Sequence, residues 1–197
     1  MSPPLLLVIT GPSGVGKDTL LAGMKERCAG RAYHFAVTAT TRPKRPHERE
    51  GVDYHFLSPW QFDHILARDG FLEHATVYGH RYGVPKAQVR QALAEGKDVL
   101  VRTDVQGATY IKSVCPQAVT IFLMPPSFQA LEERLRARAS DDPQQIEMRL
   151  AIARREMAMA GQFDHTVVND RLEDAVARIE AIIAGEKAKP GRQPPTL

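Results

Sequence analysis

The run Gly11-Pro12-Ser13-Gly14-Val15-Gly16-Lys17-Asp18-Thr19 carries the most specific chemical signal in the chain. Glycines at 11, 14 and 16 let successive backbone N–H groups point inward at an anion, and the N-terminus of a following helix adds partial positive charge. Lys17 then reaches the outer phosphates of a nucleoside triphosphate. The spacing G-x4-G-K is complete. At the next position, where a Ser or Thr hydroxyl normally meets Mg2+, the chain has Asp18, which makes Asp18 a candidate metal ligand beside Thr19.

A phosphate cradle identifies a donor and leaves the acceptor open. The segment Thr38-Ala39-Thr40-Thr41-Arg42-Pro43-Lys44-Arg45 sets two arginines three apart in a proline-stiffened stretch. Guanidinium groups fit phosphate oxygens as a bidentate fork. Downstream, Gly51 to Phe56 and Glu73 to Gly83 add tyrosines and a carboxylate among turn residues. Taken singly, each of these reads as solvated surface or core filling; together their order carries the signal. There is no Ser-His-Asp or Cys-His candidate for nucleophilic catalysis. Cys28 and Cys115 are too few for a disulfide framework or zinc cluster, and the seven histidines show no ligand spacing.

Strands and helices must position these residues, and the sequence alternates them. Leu5 to Ile9, Tyr33 to Val37, Asp98 to Val101 and Ala118 to Met124 read as strands, the first feeding the glycine-rich turn and a helix that ends near Cys28. Helical patterns follow at 86–95, 127–138, 144–160 and 171–184, the last with Leu172, Ala175, Val176, Ile179, Ile182 and Ile183 on one face. The βαβα order predicts an α/β fold, a parallel sheet flanked by helices. Residues 38–83, rich in Arg, His, Tyr and Gly, interrupt the rhythm as an inserted lobe. Residues 138–146 read as a mobile charged loop, and Lys187 to Leu197, with three prolines and no periodicity, as a disordered tail. The 197 residues, 43% hydrophobic and 25% charged, suit one domain with a well-formed core. A net charge of +3 helps attract phosphates but falls far short of the basic stripe of a nucleic-acid binder. The apolar run at 5–9 is too short for a signal-peptide core or membrane span, so a cytoplasmic location is expected.

The ordered landmarks resemble the guanylate kinase family. They are Gly-Pro-Ser-Gly-Val-Gly-Lys at 11–17, Thr-Thr-Arg-x-x-Arg at 40–45, Gly-x-Asp-Tyr-x-Phe at 51–56, Glu73 to Gly83, Asp104-Val105-Gln106-Gly107, Pro125-Pro126-Ser127 and Val168-Asn169-Asp170. The resemblance covers about residues 4–184, leaving 185–197 as the tail. It implies the P-loop NTPase fold with an inserted GMP-binding lobe, about 38–85, and a small lid, about 138–146. The implied reaction is transfer of the γ-phosphoryl of ATP to GMP, and to dGMP, with Mg2+. By the same resemblance, Glu73 reads guanine and Thr38 meets the base's carbonyl. Arg42, Arg45, Tyr54 and Tyr82 hold the acceptor phosphate, with Asp104 in the acceptor and metal region. Arg134, Arg138 and Arg149 close on the transferring phosphoryl group beside Lys17, and Asn169 lies on the adenine side. The two lid arginines are expected far from the donor site until both substrates bind. A monomer or homodimer is expected.

Three positions depart from the family pattern: Asp18 in place of a hydroxyl, Arg102 in place of an acid, and Val84 where a Ser or Thr commonly helps hold guanine. Arg102 lies two before Asp104 on a strand. It either pairs with Asp18, offsets it through the local field, or points past the site to solvent. Two other readings remain open: a ribose 1,5-bisphosphate kinase, whose family resembles this chain in carrying Gly-Lys-Asp, and a guanylate kinase-like binding module that catalyses nothing.

Overall fold

In a computed structural model the described residues are 2–27, 30, 32–77, 79–137 and 143–197. The frame is a five-stranded sheet. Its strands are β1 (Leu6–Thr10), β2 (Tyr33–Phe35), β7 (Asp98–Arg102), β8 (Val119–Met124) and β9 (His165–Val168). They lie in the order β2-β7-β1-β8-β9 with every pair parallel. β1 is central and buried along its whole length, as a strand covered on both faces must be.

Alternation along β1 splits the core. Leu5, Leu7 and Ile9 face α1 (Lys17–Arg27) and α7 (Leu172–Ala188), packing with Leu20, Met24, Val176 and Ile179. Leu6 and Val8 face the opposite way, into a cluster with Val89 of α3 (Lys86–Ala94) and Ala108 and Ile111 of α4 (Val105–Val114). Each such Leu or Ile contributes about 1.5–3 kcal/mol through burial. A third cluster joins α5 (Phe128–Arg136) to α6 (Pro143–Ala158) through Leu131, Leu135, Ile146 and Leu150.

Between β2 and β7 the chain builds a second sheet from β3 (Ala39–Thr40), β4 (His55–Phe56), β5 (Phe71–Val77) and β6 (His80–Pro85), in the order β4-β3-β6-β5. Its helix α2 (Pro59–Leu66) starts on a capping box between Ser58 and Gln61, with Pro59 in the first turn where a missing N–H costs nothing. Phe62 of that helix stacks on Phe71 of β5 with ring centroids 4.3 Å apart, closing a small core with Ala39.

Two expectations change. The loop expected over 138–146 ends earlier, because α6 begins at Pro143; residues 138–142, and Arg138 with them, lie outside the described residues. The end of the chain, expected to be disordered from 185, continues as α7 to Ala188. Beyond it Arg192 donates to buried Glu186 at 2.5 Å and to the Gln117 carbonyl at 3.0 Å, and Arg90 donates to the Leu197 carbonyl at 3.0 Å. Prolines do deny this segment a periodic structure. Its order comes from ion pairs and hydrogen bonds to distant residues, which leave no period in the sequence.

Candidate active site

The glycine-rich loop lies at the carboxyl end of β1, in the crevice where the chain passes from one side of the sheet to the other. Gly14 and Gly16 have φ of 85° and 98°, in the left-handed region where a Cβ is strained. A Cβ at Gly14 would lie 2.8 Å from Leu135 Cδ2, and one at Gly16 would lie 2.6 Å from Asn169 Nδ2, so the loop is held by its neighbours as well as by its own turns. Asn169 Nδ2 donates to the Val15 carbonyl at 2.8 Å. Lys17 Nζ donates to the Gly11 and Pro12 carbonyls at 2.5 and 3.1 Å, curling over the loop's own oxygens.

A cleft of about 430 Å³ opens in front of the loop. Ser13, Gly14, Gly16, Lys17, Asp18 and Thr19 form one side; Thr38, Tyr54, Glu73, Tyr82, Asp104 and Arg149 come from other elements. An adjoining cavity of about 540 Å³ adds Arg42 and Arg45, and shares Asp18, Thr38, Tyr54, Tyr82 and Arg102 with the first. Segments far apart in sequence thus become one surface only in the fold, with phosphate-binding backbone at one end and guanidinium groups beyond.

Glu73 is the buried carboxylate of this cleft. Burial first, and then the negative charge of Asp104, push it up to about 7, against a lowering hydrogen bond from Thr103. Gly107 leaves room for it: a Cβ there would lie 2.8 Å from Glu73 Oε2 and would also meet Thr103 Oγ1. Asp104 caps α4, its Oδ1 accepting from Gly107 N–H at 2.7 Å, which fixes the carboxylate at the edge of the cleft.

Arg42 forks onto Glu48, donating from both terminal nitrogens at 3.1 and 2.7 Å. It also lies over the rings of Tyr54 and Phe56, at 5.4 and 5.9 Å from their centroids. Glu48 accepts from the Arg45 N–H at 2.8 Å as well, and the Arg42 guanidinium holds its carboxyl down to about 2. Arg102 pairs with Asp18, and its Nη2 donates to the Tyr54 hydroxyl at 3.2 Å. Of the three dispositions open to Arg102, the structure adopts the pairing.

Two residues sit differently from expectation. Arg134 does not stand away from the donor end: it donates to the Val15 carbonyl at 3.4 Å and to the Asn169 carbonyl at 3.1 and 3.2 Å, because its helix packs directly against the loop through Leu135 and Leu131. Val84 does not line the cleft. It is fully buried with Leu6, Val8 and Leu72, as the strand face that serves the cleft at Tyr82 dips into the core two residues later. Sequence reasoning also missed Glu48, Thr103 and Glu156, and it gave Gly107 only as part of a landmark, with no contact to Glu73. Glu156, on α6, faces Lys17 and Asp104, and burial raises its pKa. Glu48 had a local signal, since it lies three residues beyond Arg45 in a basic segment.

Among the described residues no group of three His, Cys, Asp or Glu side chains is placed to cage a metal ion. Among the oxygen-bearing side chains that line the cleft are Asp18, Thr19 and Asp104. That set fits Mg2+, which keeps several waters and binds through one or two carboxylates plus a substrate's phosphates.

A triphosphate laid along the loop would aim its outer phosphate at the arginines of the lobe, and such a layout is that of a P-loop phosphotransferase with a small phosphorylated acceptor. The full length of the chain narrows this further: residues 4–186 match the family model described as guanylate kinase, and the chain belongs to the guanylate kinase family. It is 49% identical over 181 residues to a guanylate kinase of Gloeobacter violaceus, covering 92% of this chain and 87% of that one. With a guanylate kinase of Thermus thermophilus the identity is 46% over 187 residues, 95% of this chain and 84% of the relative. The crystal structure of guanylate kinase from Anaplasma phagocytophilum superposes with a TM-score of 0.76 at 32% identity, covering 98% of this chain and 91% of that one. Among the described residues no helix is long and apolar enough to cross a membrane.

Proposed function

We propose that the chain transfers the γ-phosphoryl group of ATP to GMP, and to dGMP, giving ADP and GDP. The observation that carries this reading is the buried carboxylate of Glu73 in a cleft whose other side is the phosphate loop. Ionised, Glu73 accepts from both N1–H and the exocyclic amine of guanine, a pair of donors that adenine lacks. Thr38 lies in the same cleft for the base's carbonyl. Arg42, Arg45, Tyr54 and Tyr82 then meet the acceptor phosphate, whose oxygen is already ionised at neutral pH and needs no general base.

What remains for the protein is alignment and neutralisation of charge. Backbone N–H groups of residues 13–16 cradle the donor's phosphates, and Lys17 leaves the loop carbonyls for the outer ones. Arg134 and Asn169 brace Val15, and Arg149 faces the transferring group from α6. Arg138, together with the lid it belongs to, would exclude water that otherwise hydrolyses ATP. Asp18, the Thr19 hydroxyl and Asp104 would hold the Mg2+ that accompanies ATP, which would supply neutralisation of phosphate charge. Both ligands fit one chain, so a monomer or a homodimer in the cytoplasm serves this function.

A coupled assay for ADP with GMP, dGMP, AMP and ribose 1,5-bisphosphate tests the reading. Turnover of GMP and dGMP well above AMP is expected. Turnover of ribose 1,5-bisphosphate alone would leave Glu73 without its purpose and overturn the proposal, and no turnover at all would leave a binding module.

A further inference from the structure

Arg102 occupies the seam between the two cavities, lining both. It touches three things there: the Asp18 carboxylate, the Tyr54 hydroxyl at 3.2 Å and the Tyr54 ring at 5.6 Å from its centroid. Arg42 rests on the same ring at 5.4 Å, so two guanidinium groups converge on one tyrosine. Their counter-ions differ. Glu48, partner of Arg42, is 8% exposed and bonded also to the Arg45 N–H, so separating that pair would strand a buried carboxylate. Asp18 is 72% exposed, and solvent can take over its charge at little cost when Arg102 leaves. Arg102 itself lies mostly out of water, at 23% exposure, where a cation needs an anionic neighbour.

We propose that Arg102 is a third guanidinium for the acceptor's phosphate, held by Asp18 until that phosphate displaces the carboxylate. Arg42 is the fixed member of the set and Arg102 the exchangeable one. Asp18 then acts as a competitor that weakens acceptor binding to the empty protein and keeps a buried cation neutral. The assignment rests on the proposed acceptor, GMP, being correct.

The test compares GMP with guanosine, which lacks the phosphate, by titration calorimetry on the full ligand-free chain. Arg102→Leu is expected to weaken GMP roughly 10- to 100-fold, the range for losing one hydrogen-bonded charge, and to leave guanosine unchanged. Asp18→Asn is expected to tighten GMP several-fold with guanosine unchanged, and the gain should vanish in the Arg102→Leu background. If Arg102→Leu does not fold, Asp18→Asn still decides, because residue 18 is exposed. An unchanged or weakened GMP affinity in Asp18→Asn, a gain that persists without Arg102, or a loss of ATP rather than GMP affinity in Arg102→Leu overturns the assignment. Should the parent bind ribose 1,5-bisphosphate and not GMP, the acceptor reading fails, and the same variants measured with that ligand decide Arg102.

Discussion

Replacing Glu73 by Gln separates two opposite effects of one carboxylate. Burial and Asp104 raise Glu73 from an ordinary 4.5 to about 7. That gap corresponds to about 3 kcal/mol of preference for the protonated form in the folded chain. A raised carboxylate pKa means the native state holds a proton that the unfolded chain has given up. The free protein therefore loses stability as pH climbs from about 4.5 to 7, and the loss is complete above 7. Glu73→Gln removes that penalty. Near pH 5 it should melt close to the parent, and at pH 8 it should melt higher, by at most roughly 5–10 °C for a domain of this size. Guanosine affinity runs the other way, because only the ionised carboxylate accepts both guanine donors. In the parent it should be roughly 30-fold weaker at pH 5.5 than at pH 8, following the protonated fraction of a group with a pKa near 7. In Glu73→Gln it should be weak and flat, with ATP affinity retained. Melting curves and guanosine titrations across that range check both halves. A parent–variant difference in melting that is the same at pH 5 and pH 8, or a parent affinity that does not change with pH, would refute the argument from burial.

Gly107→Ala should push Glu73 and Thr103 out of place, since its Cβ would lie 2.8 Å from Glu73 Oε2; kcat/KM for GMP should fall about 10- to 100-fold with binding of an unreactive ATP analogue unchanged. Glu48→Gln should weaken GMP without affecting guanosine. Because the folded Glu48 carboxyl sits at about 2, its stabilisation is present above about pH 4.5 and is lost as pH falls towards 2. Urea unfolding at pH 7 and pH 3 should then show a smaller acid loss in that variant than in the parent. Arg192→Ala leaves buried Glu186 with one cation fewer and should cost about 1–3 kcal/mol in a denaturant titration, with GMP turnover unaltered.

Features encoded within a few neighbouring residues were legible in the sequence. The phosphate loop is a contiguous motif. β1 is a continuous apolar run, and α7 writes its buried face as Ala175, Val176, Ile179, Ile182 and Ile183. What the sequence hid was contact between distant segments. Arg134 meets the Val15 carbonyl across 119 residues, and nothing local distinguishes that arginine from one on a solvated helix. Glu73 is recognisable as a carboxylate on a strand, but its elevated pKa comes from burial first and then from Asp104, which follows β7 in another part of the chain. Val84 sits two residues after Tyr82, so alternation alone gives both to one face; only the approach of Leu6, Val8 and Leu72 turns that face into core. The tail is fixed by Arg192 and Arg90, contacts without any repeat.

The second sheet is spelled by one uninterrupted stretch of chain, which leaves the frame after β2 and rejoins it at β7, the strand hydrogen-bonded to β2. On the proposed assignment of Glu73 and the lobe arginines, acceptor choice is carried by a cassette, and recombination at two neighbouring points would exchange it without breaking the parallel sheet. The cassette has an awkward boundary, however. Thr103, Asp104 and Gly107, which tune and seat Glu73, lie beyond β7 on the host side. A graft cut at residue 97 would carry the carboxylate to a new frame without the floor beneath it. The smallest unit that transplants base recognition intact runs on to Gly107, so β7 and the first turn of α4 must travel with the lobe.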